Sequence, residues 1–396
     1  MREKLRAGVS ETADAPPHAA LAQRSVSAIL HNQRANGAIV ASPDFSQYQF
    51  CWLRDGSFSA FALDVASEYD AAARYHQWVH ESIQRIRGLI EDAILRRTSG
   101  AGSGEVEMPP ARFTLDGAVV VDGWPNFQID GYGTWLWSLG RHLDVAPESK
   151  LSPDWLDSID RVARYLETFA VSPCFDVWEE SGTAVHTSTL ASVYAGLVSA
   201  AALLDDMRFL ETAASVKVTL EGSARRLGYF NKSSESDDVD ASVLWLDSPF
   251  RAVSSSDPWF EKTVSLIEDR LVLDGGLRRY PTDTYFGGGA WPVLTATLGW
   301  HYATIGKTTD ARRCLDWVAG HFDREGRLGE QFGGEQRDRQ HFDEWTDRWG
   351  PPAADLTWSH AMYVILENEL ARSDGTSAAS DSRLAESNAS APEARP

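Results

Sequence analysis

The sequence predicts an all-α fold. Apolar residues recur mainly at three- and four-residue spacing, strand-like alternation is scarce, and helix starts repeat at a regular interval. In SPDWLDSIDRVARYLETFAV, Trp155, Ile159, Val162, Leu166 and Phe169 share one face. The same periodicity predicts helices over 19–33, 54–67, 70–96, 130–143, 153–171, 186–204, 206–227, 240–247, 257–272, 290–305, 308–322 and 356–371. Every second helix starts near 54, 130, 186, 240, 290 and 356, a repeat of about 60 residues that reads as six helix pairs. Twelve alternating helices close into a double ring, inner against outer, or stack as an open solenoid.

With 396 residues, 43% of them hydrophobic, the chain can bury a large core. One helical domain is expected over 19–372. The flanking segments 1–18 and 373–396 are poor in bulky apolar residues and are expected to be mobile. A formal charge of -20 repels phosphate backbones and anionic membranes, so a small neutral substrate is expected, with neither nucleic acid nor a membrane as partner. Cys51, Cys174 and Cys314 form no disulfide framework and no CxxC pair. The first twenty residues lack a signal-peptide apolar run, and no later run of roughly 18 apolar residues is evident, so the expected location is cytoplasmic.

The unusual residues gather before alternate helices: YQFCWLRD, GWPNFQIDGYG, CFDVWEES, ESDDVD, RRYPTDTYFGGGAW, and GEQFGGEQ with PPAADLTW. In a closed ring these loops share one rim and form an acidic, aromatic cup. Tyr48, Trp52, Arg54 and Asp55 combine an aromatic wall with a cation and an anion, suited to a sugar face and its hydroxyls. A core Trp followed by a helix-capping Asp fits the same residues. Gln128 and Asp130 are hydroxyl-binding candidates, with Asp130 equally a cap of the fourth helix. Arg279 suits sugar oxygens or an ion pair with Asp283, and Trp291 suits stacking or the core. Gly287, Gly288 and Gly289 follow no convincing strand and precede no GK[ST], so they read as a turn for close backbone approach. The ten His residues show no metal-ligand spacing, and neither metal nor cofactor is expected.

Inverting cleavage of a glycosidic bond needs one carboxylic acid at the leaving oxygen and one carboxylate activating water on the opposite face. Glu179 follows Trp178, whose ring is expected to supply the apolar contact that keeps a carboxyl protonated near neutrality. Glu180, directed elsewhere, is expected to stay ionised and accept from hydroxyls. The partner carboxylate is Glu330, Glu335, Asp343, Glu344 or Asp347; Glu330 precedes a glycine-rich turn with room for a water, and composition does not choose among them.

Taken in order, YQFCWLRD, CFDVWEES, RRYPTDTYFGGGAW, GEQF and DLTWSHA resemble the catalytic domain of glycoside hydrolase family 15, the glucoamylase and glucodextranase family, across residues 48–361. The resemblance implies an (α/α)6 toroid that releases glucose with inversion from non-reducing ends. It also implies roles for single residues. Glu179 is similar to the general acid, Glu180 to a substrate-binding acid and Glu330 to the general base. Arg54 and Asp55 match the pair gripping the terminal glucose, Trp52 and Tyr48 line that subsite, Arg279 matches a sugar-binding arginine, and Trp358 resembles a pocket Trp. The chain departs from the family in leaving no room for an N-terminal β-sandwich or a starch-binding domain, and FGGGAW is more glycine-rich than the fungal-type pattern. The missing domains favour short α-gluco-oligosaccharides, with a lean to isomaltose-type α-1,6 linkages, while FGGGAW leaves contacts beyond the first glucose open. Hydrolysis of α-1,4 links or of trehalose, and a catalytically silent glucan-binding toroid, are the other readings.

Overall fold

The computed structural model describes residues 18–100, 107–146, 151–333 and 338–389, with side chains described as far as 373. Its helices are α1 (His18–Asn32), α2 (Leu53–Val65), α3 (Tyr69–Arg85), α4 (Arg87–Ser99), α5 (Asp130–Val145), α6 (Pro153–Phe169) and α7 (Thr187–Leu204). After them come α8 (Arg208–Leu227), a 3-10 segment (Ala241–Leu246), α9 (Pro258–Leu271), α10 (Pro292–Thr304), α11 (Thr308–Ala319), α12 (Arg339–Trp349) and α13 (Thr357–Ala389).

Contacts between elements decide between ring and solenoid. α2 packs on α5, α5 on α7, α7 on the 3-10 segment, that segment on α10, α10 on α13, and α13 returns to α2. The ring is therefore closed. Its members are buried around most of their circumference, as in α2 from Leu53 to Asp64 and α10 from Pro292 to Ala303. The outer elements bury one face only; α6 turns Ile159, Val162, Leu166 and Phe169 inward. α1 lies on α13, α3 on α2, α8 on α7, α9 on the 3-10 segment, and α11 on α10 and α13. α7 has the length and hydropathy of a membrane span, contrary to the sequence expectation, yet it is an inner-ring helix and mostly buried against its neighbours.

Hydrogen bonds close the ring where its ends meet. Thr357 Oγ1 donates to Val40 O at 2.7 Å and accepts from Asn32 Nδ2 at 3.0 Å, while Thr357 N donates to Ala41 O at 2.9 Å. Elsewhere, Asp64 of α2 meets His142 Nδ1 of α5 at 2.7 Å, and His76 of α3 packs on His142 with ring centroids 5.1 Å apart. This buried trio, whose potential metal-ligand atoms lie within 4.8 Å of one another, had no signature in the sequence because its members come from three helices.

The elements differ from expectation in four places. The predicted helix 70–96 is two helices broken at Ile86, with Gly88 weakening the start of the second. The predicted helix 240–247 is a 3-10 turn, started by Asp240 accepting from Ser242 N and closed off by Pro249. α12 was not predicted, since it is polar on most sides and has no buried residue. α13 runs on to Ala389, beyond the expected helix end at 371, and its stretch from Thr376 to Ala389 is free of glycine and proline. The expected mobile N-terminal segment falls, apart from His18, outside the described residues.

α5 and α7 cross closely at a pair of glycines. A Cβ on Gly196 would lie 2.7 Å from Gly133 Cα, and one on Gly133 would strike the Ser192 carbonyl. Gly133→Ala is therefore expected to destabilise the protein by about 1–3 kcal/mol through overpacking. A lower urea midpoint with an unchanged m-value checks this.

Candidate active site

The rim loops enclose a cavity of about 310 Å³. Of the predicted site residues, Tyr48, Trp52, Arg54, Asp55, Trp178, Glu179, Glu180, Arg279, Trp291, Glu330 and Trp358 line it. Gln128 and Asp130 do not. Both are buried behind the wall, where Asp130 Oδ2 accepts from Arg54 Nη1 at 2.8 Å and Gln128 joins Arg54 to Glu179. They hold wall residues in place, and Asp130 makes no side-chain cap on α5, whose N-cap is Ile129.

The doubled acid of CFDVWEES is split by its backbone. Asp176 Oδ1 accepts from both Trp178 N and Glu180 N at 2.9 Å, and Glu179 N donates to Asp176 O at 2.9 Å. This tight turn puts Glu179 in the left-handed region at φ 68°, so the two side chains leave it in different directions. Glu179 Oε1 accepts from Trp52 Nε1 at 2.7 Å and from Gln128 Nε2 at 3.0 Å. Glu180 is gripped by Arg279 Nη2 at 3.3 Å and Tyr280 OH at 2.5 Å, with Lys232 Nζ at 3.8 Å. The indole bonded to the Glu179 carboxyl is thus Trp52; Trp178, expected in that part, donates to Asp240 Oδ2 at 2.9 Å and packs on Trp291.

Glu330 is held in a different way. Its N–H donates to Ala353 O at 2.9 Å, and Phe332 two residues on pairs with Ala290, so the glycine-rich turn brings backbone against this segment. Oε1 accepts from Tyr48 OH at 2.8 Å and from Tyr285 OH at 3.5 Å, and the two phenols meet at 2.7 Å. Oε2 is buried and has no protein hydrogen-bond partner. Burial pushes the carboxyl up to about 7, against the hydrogen bond from Tyr48 and the charge of Arg279, which both lower it. Asp55 is pushed up to about 6 by burial, opposed by Arg54. Arg279 makes the ion pair with Asp283 that the sequence suggested, reaches Glu180, and lies over the rings of Trp178, Tyr280, Tyr285 and Trp291.

Asp343, Glu344 and Asp347 are exposed on α12, and Glu335 lies outside the described residues. Reading by motif missed Trp124, Tyr285 and the α12 residues Trp345, Arg348 and Trp349, all of which line the cavity. Tyr285 stood inside a quoted block, but its phenol acquires a partner only when Tyr48 arrives from the other end of the chain.

The profile of Glycosyl hydrolases family 15 matches residues 16–318. The chain belongs to this family. As a family 15 member it is a glycoside hydrolase, and its relatives agree. It is 37% identical over 357 residues to an isomaltose glucohydrolase of Kribbella flavida, spanning 88% of this chain and 92% of that protein. A wild-type glycosidase structure superimposes with a TM-score of 0.85 at 36% identity, covering 91% of this chain and 99% of the other. A glucoamylase from Saccharomycopsis fibuligera shares the toroid fold, with a TM-score of 0.70 at 17% identity over 93% of this chain and 98% of that one.

The raised carboxyl of Glu330 has a consequence for stability. Because its folded value of about 7 exceeds the ordinary 4.5, its favourable contribution is present below about pH 4.5 and is lost as the pH rises through 7. Glu330→Gln keeps an acceptor for Tyr48 and never ionises. It is expected to be more stable than the native protein above pH 8, by up to roughly 3 kcal/mol, with the gap closing towards pH 4.5. Thermal melts across that range check the sign.

Proposed function

We propose that this protein is an inverting, exo-acting α-glucosidase that releases β-glucose from the non-reducing ends of short α-gluco-oligosaccharides, with a preference for isomaltose-type α-1,6 linkages. The observation that carries the reading is a pair of carboxyls lining one cavity in unlike surroundings. Glu179 is bonded by Trp52 and Gln128, whereas Glu330 is buried against two phenols with Oε2 unengaged. Trp52 bonds Glu179 and Tyr48 bonds Glu330, and these two rings meet edge to face with centroids 5.6 Å apart, so the carboxyls are held by adjoining parts of one aromatic wall. The isomaltose glucohydrolase relative supports the choice of linkage.

In this mechanism the buried Arg54 and Asp55 hold the terminal glucose, and Asp55 Oδ2, which lacks a protein hydrogen bond, accepts from a sugar hydroxyl. Glu179 gives its proton to the glycosidic oxygen as the bond from that oxygen to C1 breaks. Glu330 takes a proton from the water that bonds to C1 on the opposite face, so C1 inverts. Arg279 and Glu180 hold hydroxyls of the departing sugar.

An NMR time course on isomaltose is expected to show β-glucose first; α-glucose first would overturn the inverting assignment. Glu179→Gln should lower kcat on isomaltose by about 10²–10⁴-fold while retaining much of the rate on α-glucosyl fluoride, whose leaving group needs little protonation. Glu330→Gln should abolish turnover of both. Since the base must be ionised, kcat/KM of the native enzyme should fall about tenfold per unit below a limb near pH 7, set by the raised carboxyl of Glu330.

A further inference from the structure

The family pattern and the reading above account for the closed end of the cavity, where Arg54 and Asp55 are 5% and 9% exposed. Beyond Arg279 and Glu180 they give no role to the α12 side of its mouth. There α12 contributes Trp345, Arg348 and Trp349, at the three- and four-residue spacing that places them on one side of a helix. Asp343, Glu344 and Asp347 of the same helix are exposed. A helix with no buried residue is held by little of its own packing, yet this one has a definite seat. Trp345 lies edge-on to Tyr285 with centroids at 4.9 Å, and Phe342 and Trp345 both pack on Phe286, at 6.2 and 5.9 Å. Phe286 is itself in the left-handed region at φ 44°, and Asp338 N bonds Gly287 O at 3.0 Å. The glycine-rich turn is thus shaped to carry α12 over the cavity.

We propose that α12 is the binding wall for the leaving-group sugar and the element that favours short substrates; this rests on the function proposed above. Trp349, 38% exposed at the mouth, offers a ring face for stacking on the second sugar, and the Arg348 guanidinium, 4.9 Å over that ring, offers planar donors to its hydroxyls. Trp345 joins the wall to Tyr285, whose phenol reaches Tyr48 and Glu330. The wall is thereby packed on the group that orients the water-activating carboxylate. A third sugar would have to pass the Trp349 rim, which is what disfavours longer chains.

The test compares a substrate that has a leaving sugar with one that has none. For Trp349→Ala and Arg348→Ala, both at exposed positions, the ratio of kcat/KM on isomaltose to kcat/KM on α-glucosyl fluoride should fall about tenfold, mainly through KM. Trp349→Phe should recover most of the ratio, and Trp349→Ala should gain on isomaltohexaose relative to isomaltose. A ratio within about twofold of the native one in both alanine variants would sink the wall while leaving the function standing. Turnover of the fluoride but of no α-linked gluco-oligosaccharide by the native protein would sink the function, and the wall with it.

Discussion

Everything at the active site depends on the closing of the inner ring. Tyr48 and Glu330 are separated by 282 positions, and their 2.8 Å hydrogen bond exists only because α13 returns to α2. The junction is made by polar groups as well as packing: Thr357 bonds both Asn32 and Val40, tying the start of the last inner helix to the segment that leads into YQFCWLRD. Glu330 shares the same seam through its backbone bond to Ala353. A solenoid of the same helices would have an equivalent core and no cup.

Closure also explains how a buried carboxyl is kept usable. Glu330 is 1% exposed, and burial alone would leave it neutral. Two phenols and the Arg279 charge pull in the opposite direction; Tyr48 comes from the segment before α2, and Arg279 and Tyr285 from the block before α10. The outcome is a carboxyl poised near 7, close to where a general base is most useful. Tyr285 takes part in this balance and also carries α12, so packing at the mouth and electrostatics at the base meet in one side chain.

Much of this was legible in the sequence, for physical reasons. Inner helices are apolar enough to declare themselves, and their expected starts near 54, 130, 186, 290 and 356 fall within two residues of those of α2, α5, α7, α10 and α13. The eighth position was the exception, because Asp240 and Pro249 bracket a segment too short for more than a 3-10 turn. α12 was illegible because its apolar residues serve the cavity and its seat, leaving no core-facing stripe. Site residues were legible by type but not by layer. Gln128 and Asp130 carry the right groups for a sugar, and only the position of Arg54 shows that they bond protein instead.

The split of the doubled acid shows how costly such precision is. A non-glycine residue in the left-handed region gives up about 1 kcal/mol or more, so the turn at Glu179 needs a restraint. Asp176 supplies it through two backbone N–H groups, but its own carboxyl is buried and pushed up by desolvation. Lys232 answers that cost: its Nζ lies 3.5 Å from Asp176, 3.6 Å from Asp240 and 3.8 Å from Glu180, over the Tyr280 ring at 3.3 Å. One cation thereby stabilises the carboxylate that shapes the turn, the one that receives Trp178, and the second acid of the motif. Glu179 is left outside this cluster, bonded by the Trp52 indole and the Gln128 amide, both neutral donors. The chemical difference between two adjacent glutamates is thus a difference in which side of one turn the lysine occupies.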